Sequence, residues 1–338
     1  MTLIPRQTKF RLTAPLVGRN LITFRPFLNT DPPRIVEIWN SQQRFRGRAA
    51  TLSVDKLEEL VLSKPYFDRL GFMVAVEAGR PIGFVHAAFG PNADLSSVSR
   101  ENGVICRVLA EPRENQQELR RELLEIGEAY LRERGSKTIY AGGFAPNDPF
   151  YLGLYGGSRL PGILCDDRST IDLYSAAGYQ NIQRQIIMQC QLASFRPRVD
   201  RQQMMIRRKY QISATFDPQA RNWWEACTLG YTDRTKFELF GRDDGQSYGE
   251  VTFWDMVPLS HGWGGNATGI FDLHIAHGQR RSGLATFLIC EAIRQLLKHA
   301  VTLAEVQTSI DDRPTIDLFQ KLGFGKVDEG RVLVKQVG

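Results

Sequence analysis

Residues 166–179 read DDRSTIDLYSAAGY and residues 311–324 read DDRPTIDLFQKLGF. The opening DDR, the TIDL that follows and the closing Gly–aromatic pair agree in register at an offset of 145. Unrelated amphipathic segments match at a few positions, not at this many. Self-similarity at a fixed offset marks a repeated architecture. The fold must therefore be one that a single chain uses twice.

The repeat extends upstream. FMVAVEAGRPIGFVHA (72–87) alternates apolar and polar residues, breaks at Ala78-Gly79-Arg80-Pro81 and alternates again, which predicts a hairpin. FELFGRDDGQSYGEVTFW (237–254) does the same around Asp243-Asp244-Gly245. Aligning Gly83 with Gly249 gives an offset of 166, so the first copy carries about 21 extra residues before its DDR segment. They are expected to include PNDPFYLGLYGGSRLPG (146–162), which has turn chemistry and no period. The 338 residues divide into an N-terminal unit (1–194), a polar, proline-containing linker (195–204) and a C-terminal unit (205–338). This is consistent with domains of about 100–200 residues each. Arg196, Arg198, Arg201, Arg207 and Arg208 crowd the junction. They read either as a solvated connector or as the lining of a groove for an acidic partner.

In the C-terminal unit YQISATF reads as the first strand and NWWEACTLGY as helical, followed by the hairpin. Then come GIFDLHIAH as a strand, LATFLICEAIRQLLKHA as a helix and LAEVQTSI as a strand. PTIDLFQKLG is a short helix with Pro314 suited to its first turn, and VDEGRVLVKQ reads as a closing hairpin. This order implies an α/β (α+β) layer fold, a central twisted mixed sheet flanked by helices in each unit.

Composition excludes several classes. Hydrophobic residues make up 42% and charged residues 24%, so the chain is neither disordered nor short of core material. No apolar run reaches the roughly 18–20 residues of a membrane span. The start, MTLIPRQTKFRL, lacks the apolar stretch of a secretory signal. Five scattered cysteines contain no CxxC pair, so a cytoplasmic, disulfide-free and zinc-free protein is expected. A net charge of +6 suits an anionic ligand but is no nucleic-acid signature. His86, His261 and His299 have no partner at ligand spacing, so no metal site is expected.

The junction Gly278-Gln279-Arg280-Arg281-Ser282-Gly283-Leu284-Ala285 carries chemistry. It joins a strand to a helix N-terminus, where free N–H groups and the helix dipole favour an anion. Glycine at 283 and alanine at 285 allow close backbone approach, and Arg280 and Arg281 add charge. A plain turn and cap reads the same residues equally well. Context adds to it: Arg280-x-x-Gly283-x-Ala285 is followed downstream by Asp312-x-x-Thr315-x-x-Leu318-Phe319-x-x-x-Gly323-Phe324. That pattern resembles the GNAT superfamily of acyl-CoA-dependent N-acetyltransferases, well over residues 205–338 and in the hairpin and Gly-Tyr segment of the first unit. The whole looks like a tandem GNAT protein.

The resemblance implies acetyl-CoA, or another acyl-CoA, as co-substrate and a small-molecule amine or a peptide as acceptor. Arg280, Arg281, Ser282, Gly283, Leu284 and Ala285 would hold the pyrophosphate. His274, Ile275 and Ala276 would splay from the neighbouring strand and bond the pantetheine arm. Asp312 stands where the family often has Asn. Phe319 stands where many members have a tyrosine that protonates the leaving thiolate, and phenylalanine has no proton to give. The first unit departs in the opposite way. Gln117 and Leu119 fall opposite Gly283 and Ala285, Glu114 and Glu118 bring negative charge to the phosphate position, and Tyr174 occupies the leaving-group position. It reads as a degenerate copy that packs against the second.

Acetyl transfer to an amine needs a base or a water relay. Strand alternation puts Phe271, Leu273 and Ile275 on one face and Asp272 and His274 on the other. Asp272 and His274 are the leading base candidates, Glu250 the next, against the alternative of structural polar pairs. His277 reads as a phosphate-side loop residue and Cys290 as core. Trp223, Trp224, Tyr231–Lys236 and the Asp148–Tyr155 segment are candidate walls of the acceptor cleft, with plain packing as the other reading. A CoA-binding module without turnover is the competing function.

Overall fold

The structure, a computed structural model, describes residues 21–197 and 200–338. The opening MTLIPRQTKFRL and Arg198 lie outside these residues. In the N-terminal unit the order is β1 (Ile22–Pro26), α1 (Pro32–Asn40), α2 (Val54–Leu57) running into a π-helical turn (Glu58–Leu62), β2 (Phe72–Glu77), β3 (Arg80–Pro91), β4 (Val98–Ala110), α3 (Gln116–Glu133), β5 (Thr138–Ala141), β6 (Ile163–Leu164), α4 (Arg168–Ala176) and β7 (Gln180–Gln191). The C-terminal unit follows with α5 (Arg201–Lys209), β8 (Tyr210–Phe216), α6 (Trp223–Leu229), β9 (Arg234–Gly241), β10 (Ser247–Asp255), α7 (Val257–Trp263), β11 (Ala267–Ile275), α8 (Leu284–Leu296), β12 (Leu303–Ser309), α9 (Arg313–Lys321) and β13 (Gly325–Gln336).

Both predicted hairpins form, β2–β3 and β9–β10. The first turns on Ala78 and Gly79, both at positive φ (49° and 79°). That is the backbone a two-residue hairpin loop requires. Helix α9 starts as expected, with Pro314 in its first turn and Asp312 as its cap. α7, between β10 and β11, was not anticipated, and α5 starts inside the expected linker.

The expected closing hairpin does not form. VDEGRVLVKQ belongs to one long strand, β13, and the two units exchange their last strands. Among the described residues the strands form one mixed sheet in the order β1-β2-β3-β4-β5-β13-β7-β12-β11-β10-β9-β8, with β6 beside β13. β13 leaves its own unit to pair with β5 (Val334↔Tyr140), and β7 leaves its own to pair with β12 (Val306↔Met188). β7 and β13 also pair with each other along most of their lengths (Gly325↔Gln189 to Val334↔Gln180). Closing two separate sheets would leave two more open edges, and the exchange removes them.

The seam is also held by charge. Glu305 on β12 is fully buried. It accepts from the Ser158 N–H (2.7 Å), from the Gln189 side-chain amide (3.0 Å) and from the Arg46 guanidinium. Gly157 sits at φ +138°, and a Cβ there would lie 1.9 Å from Glu305 Oε1, so only glycine brings the backbone that close.

Candidate active site

β11 delivers the chain to the predicted anion loop. After Ile275 come a 3-10 turn (His277–Gln279), Arg280 and Arg281, and then α8. Gly283 is the N-cap of α8 at φ +88°, and no side chain caps that end. The first-turn N–H groups therefore have no partner from a capping side chain. Arg281 also holds a positive φ (61°), and Arg280 and Arg281 are exposed. Ser282 donates to the Gln279 carbonyl, which tightens the loop. Helix α5 packs alongside, Gln202 donating to Ser282 O (2.8 Å) and Gln203 to Gly283 O (3.3 Å). So part of the arginine-rich junction is not a free connector: Arg201 and Lys209 border a groove with Gln279, Ser282 and Leu284.

β11 and β12 are paired from Ala267↔Leu303 only as far as Ile270↔Val306, after which both strands continue apart. Ala276 donates its N–H to the Tyr248 carbonyl on β10 (2.9 Å). Strand alternation then turns the N–H and C=O of Ile275 towards the gap.

A β-bulge interrupts β11. Glu250 faces His274 and Thr252 faces Phe271, so one extra residue of β11 is accommodated between them. Asp272 lies in the bulge at φ +55°. This corrects the simple alternation. Ile270, Leu273 and Ile275 pack into the core with α8, whereas Phe271 joins a separate cluster with Trp254 and Leu303. Phe271 thus shares the side of Asp272, and Arg159 reaches both.

Of the base candidates, Glu250 and His274 face each other across the strands, and Asp272 is engaged elsewhere. Asp272 is clamped by two guanidiniums, Arg159 from the N-terminal unit's insert and Arg221 just before α6, each at 2.5 Å. Glu250 is paired with Lys236 (2.7 Å), which also reaches Glu238 (3.2 Å). His274 is exposed and lies opposite Glu250 across the strands. Asp312 serves as a cap: it accepts from Thr315 N (3.2 Å) and from the Thr308 hydroxyl on β12 (3.1 Å). Phe319 is buried and packs edge-on against Phe324 at 5.0 Å. Cys290 is buried in the same core.

The N-terminal unit parts its strands too. β4 and β5 pair only up to Ile105↔Ala141. Here the insert fills the space. Phe150, Tyr151, Leu154, Tyr155 and Leu160 form one core with α1 and β2–β4. Tyr151 meets the fully buried His86 (3.1 Å), and Arg107 lies 3.5 Å from the Tyr155 ring centroid. The helix N-terminus differs as well. Asn115, not Gln117, stands where Gly283 does, as N-cap of α3, two residues from the sequence register, and Glu118 lies in the first turn. The connection before it, 111–115, is shorter than 276–283. Arg120 donates to Ser169 and Thr170, tying α3 to α4. Tyr174 is buried, its hydroxyl donating to the Ile105 carbonyl (3.4 Å).

A cavity of about 140 Å³ lies between the units, against Phe271 and Asp272 where β11 has parted from β12. Its walls include Asp148, Arg159, Arg221, Trp224 and Glu225. The sequence pointed to Trp224 and to the Asp148–Tyr155 segment as walls. Of that segment, Asp148 and Leu152 reach this cavity, while Tyr151 and Tyr155 are core. Arg159 and Arg221 were missed. Their one trace in sequence is an arginine inside an apolar, Gly-rich insert, where an unpaired charge would be costly.

Two units of one type share a single mixed sheet through exchanged strands, and the C-terminal unit adds a basic, glycine-entered helix start. Residues 205–324 match the acetyltransferase (GNAT) family. The C-terminal unit thus carries the family match, and the chain as a whole shares its fold with tandem GNAT structures. No curated protein matches the sequence. Solved structures similar in fold include a tandem GNAT protein from the clavulanic acid biosynthesis pathway, at a TM-score of 0.66 and 16% identity over 94% of this chain and 99% of that one. A glucosamine N-acetyltransferase region in a fungal multi-domain β-N-acetylglucosaminidase superposes at 0.65 and 13% identity over 94% of this chain. The match spans 38% of that longer protein. An N-acetyltransferase from Sphaerobacter thermophilus superposes at 0.61 and 13% identity, covering 93% of this chain and 95% of that one. No helix among the described residues is long and apolar enough to cross a membrane.

Proposed function

We propose that the C-terminal unit, residues 205–338, transfers an acetyl group from acetyl-CoA to a primary amine, small molecule or peptide, by direct attack. The observation that carries this reading is that, among the described residues, this unit alone pairs a glycine-entered helix N-terminus without a side-chain cap and two arginines with a strand gap that has no insert of its own. Backbone amides of Gly283, Leu284 and Ala285, with Arg280, Arg281 and Ser282, are assigned to the pyrophosphate. The pantetheine arm follows the edge of β11 past Ala276, Ile275 and His274, with Ile275 supplying the backbone bonds. Asp312 holds the start of α9 beside it, and Phe319 lies beneath the thioester.

The neutral amine attacks the thioester carbonyl, the C–N bond forms and the C–S bond breaks. Phe319 gives no proton to the departing thiolate, which takes one from water or from the amine nitrogen. Asp272 is held by two guanidiniums, whose hydrogen bonds occupy its oxygens. Its role here is to fix the two arginines. His274 and Glu250 line the solvent side of the same strands. The competing reading, a CoA-binding module without turnover, is favoured by the same two observations, the clamped Asp272 and the phenylalanine at 319.

Calorimetric titration with acetyl-CoA tests the assignment through its stoichiometry. One site per chain is expected, and two sites would overturn the reading of the first unit as plugged. Release of free thiol from acetyl-CoA over a panel of primary amines separates the enzyme from the binding module.

A further inference from the structure

The cavity between the units has three carboxylates in its wall, and they differ in one respect. Asp272 is paired with Arg159 and Arg221, and Glu225 with Arg221 and Arg234. Asp148 has no ion pair among the described residues. Burial raises its carboxyl above the usual range, while Arg159, a hydrogen bond from the Trp224 indole and, less, Lys64 pull it back. Neither of those cations is free to bind it. Arg159 is committed to Asp272, and the Lys64 ammonium donates to the carbonyls of Cys227 (2.6 Å) and Thr228 (3.1 Å).

Trp224 lies beside it. Trp224 is 4% exposed, and its indole N–H is directed at the Asp148 carboxylate, which it holds down in pKa. A buried donor needs an acceptor, and Asp148 is the one this indole has. Both groups border the same cavity, whose far wall is Phe271 and Asp272. The remaining polar groups near Asp148 are occupied or turned elsewhere. Tyr66 donates to Pro149 O (2.6 Å), and the Tyr231 ring lies against Lys64.

We propose that Asp148, carried by the insert of the N-terminal unit, is the carboxylate that holds the acceptor's ammonium at the acyl site of the C-terminal unit and takes its proton. This rests on the acyl-transfer reading above. The insert then has two jobs, closing one cleft with Tyr151 and Tyr155 and equipping the other with Asp148 and Arg159.

The step balances. R–NH3+ gives one proton to the Asp148 carboxylate. The resulting amine adds to the acyl-CoA carbonyl through its lone pair. Collapse breaks the C–S bond, the electron pair leaves on sulfur, and the second nitrogen proton reaches the thiolate directly or through water. Asp148 returns its proton to solvent. An ammonium is directed to Asp148 because it is the one carboxylate in this wall without an ion pair, whereas Asp272 and Glu225 each already meet two guanidiniums. Trp224 walls the site, and its N–H steadies the Asp148 carboxylate.

The test uses the full chain and propylammonium as probe. The Trp224 indole N–H resonance, assigned with Trp224→Phe, is followed during titration at constant ionic strength. A saturable shift is expected. Asp148→Asn should weaken it by about tenfold or more, the worth of one charge-assisted hydrogen bond. Asp148→Glu should keep affinity within about threefold. Wild-type protein titrated with 1-propanol, the neutral isostere, should bind at least about tenfold more weakly, a comparison that needs no variant to fold. Equal binding of the alcohol and the ammonium, or no saturable shift in the wild type, overturns the proposal. Acetyl-CoA calorimetry on the same samples keeps the two ideas apart. Binding of acetyl-CoA without ammonium binding sinks only the role of Asp148. Ammonium binding without acetyl-CoA binding sinks the acyl-transfer reading instead.

Discussion

The two units part their strands at equivalent places, Ile105↔Ala141 in one and Ile270↔Val306 in the other, and then treat the gap in opposite ways. In the first, an insert rich in aromatic residues packs into the space and a glycine-free, acidic helix start closes the anion end. In the second, the gap has no insert of its own and the helix starts on a glycine at positive φ. On the proposed function, one fold is kept as a scaffold in one unit and as a site in the other, the difference lying in about 21 residues and one loop. The cost to the second unit of keeping a gap is offset by the first, which supplies a filled core and a shared sheet.

The comparison breaks most visibly at the plug. Tyr151→Ala removes a fully buried ring stacked on Trp39 at 5.9 Å. A loss of about 3–5 kcal/mol of unfolding free energy is expected from such a cavity. If the first gap is only a core, acetyl-CoA affinity at the second unit should stay unchanged while the protein remains folded. Chemical denaturation and calorimetry on the same variant check both halves. A first site that appears in Tyr151→Ala would show that the plug was all that kept CoA out.

Next in size is the loop. Gly283→Asp puts a side chain at a positive-φ position, within 3.1 Å of Gln202, and a negative charge at the anion end. Acetyl-CoA affinity should fall by about 100-fold or more, about 3 kcal/mol. Unchanged affinity would remove the site from this loop. The mirror change, Asn115→Gly in the first unit, should create no binding, because its connection is shorter and the plug remains.

A pH difference follows from His86. The ring is fully buried, and burial pulls its pKa down to about 3. The unfolded chain would titrate near the ordinary value of 6.5. Below that value the unfolded state binds a proton that the folded state refuses. Stability is therefore lost as pH falls from about 6.5 towards 3, by up to about 3 kcal/mol at about pH 4.5. The second unit has Thr252 at the position of His86 by the 166 offset, with no such titration. His86→Phe should flatten the acid limb of urea melts between pH 6.5 and 4.5. An unchanged slope would locate acid sensitivity elsewhere.

Much of this contrast was legible before any coordinates. The DDR…TIDL repeat pointed to two units, and the Gly283 loop against PRENQQEL to a difference between their helix starts, which the structure has as a glycine N-cap in one and an asparagine N-cap in the other. The exchange of β7 and β13 was not legible, because alternating apolar residues specify that a strand is buried and not which unit's strand it joins. The bulge at Asp272 escaped for a similar reason. Period-two reasoning assumes an even strand, and one added residue moved Phe271 to the other face. Asp312 and Phe319 were found in their motif, but a motif does not say that the aspartate's oxygens are used as a cap. The clamp on Asp272 needed two arginines separated from it by 113 and 51 residues, a contact that no local pattern encodes.

The finest comparison rests on a single oxygen. Tyr174 and Phe319 lie at the same point of the repeat, and each packs against an aromatic five residues on, Tyr179 at 4.8 Å and Phe324 at 5.0 Å. The Tyr174 hydroxyl reaches the carbonyl of Ile105, the residue where β4 leaves β5. By the same geometry Phe319→Tyr would aim its hydroxyl at Ile270, where β11 leaves β12. There the carbonyl accepts it, or an arriving thiolate does. Folding should change by less than about 1 kcal/mol, since the new hydroxyl finds an acceptor. Acetyl-CoA affinity should change by less than about tenfold, 1.4 kcal/mol. Turnover, measured as thiol release with a competent amine, should rise only if protonation of the thiolate limits the wild type. A larger loss of affinity would mean that position 319 does not lie beneath the thioester, and the two units would then differ in register as well as in what fills their gaps.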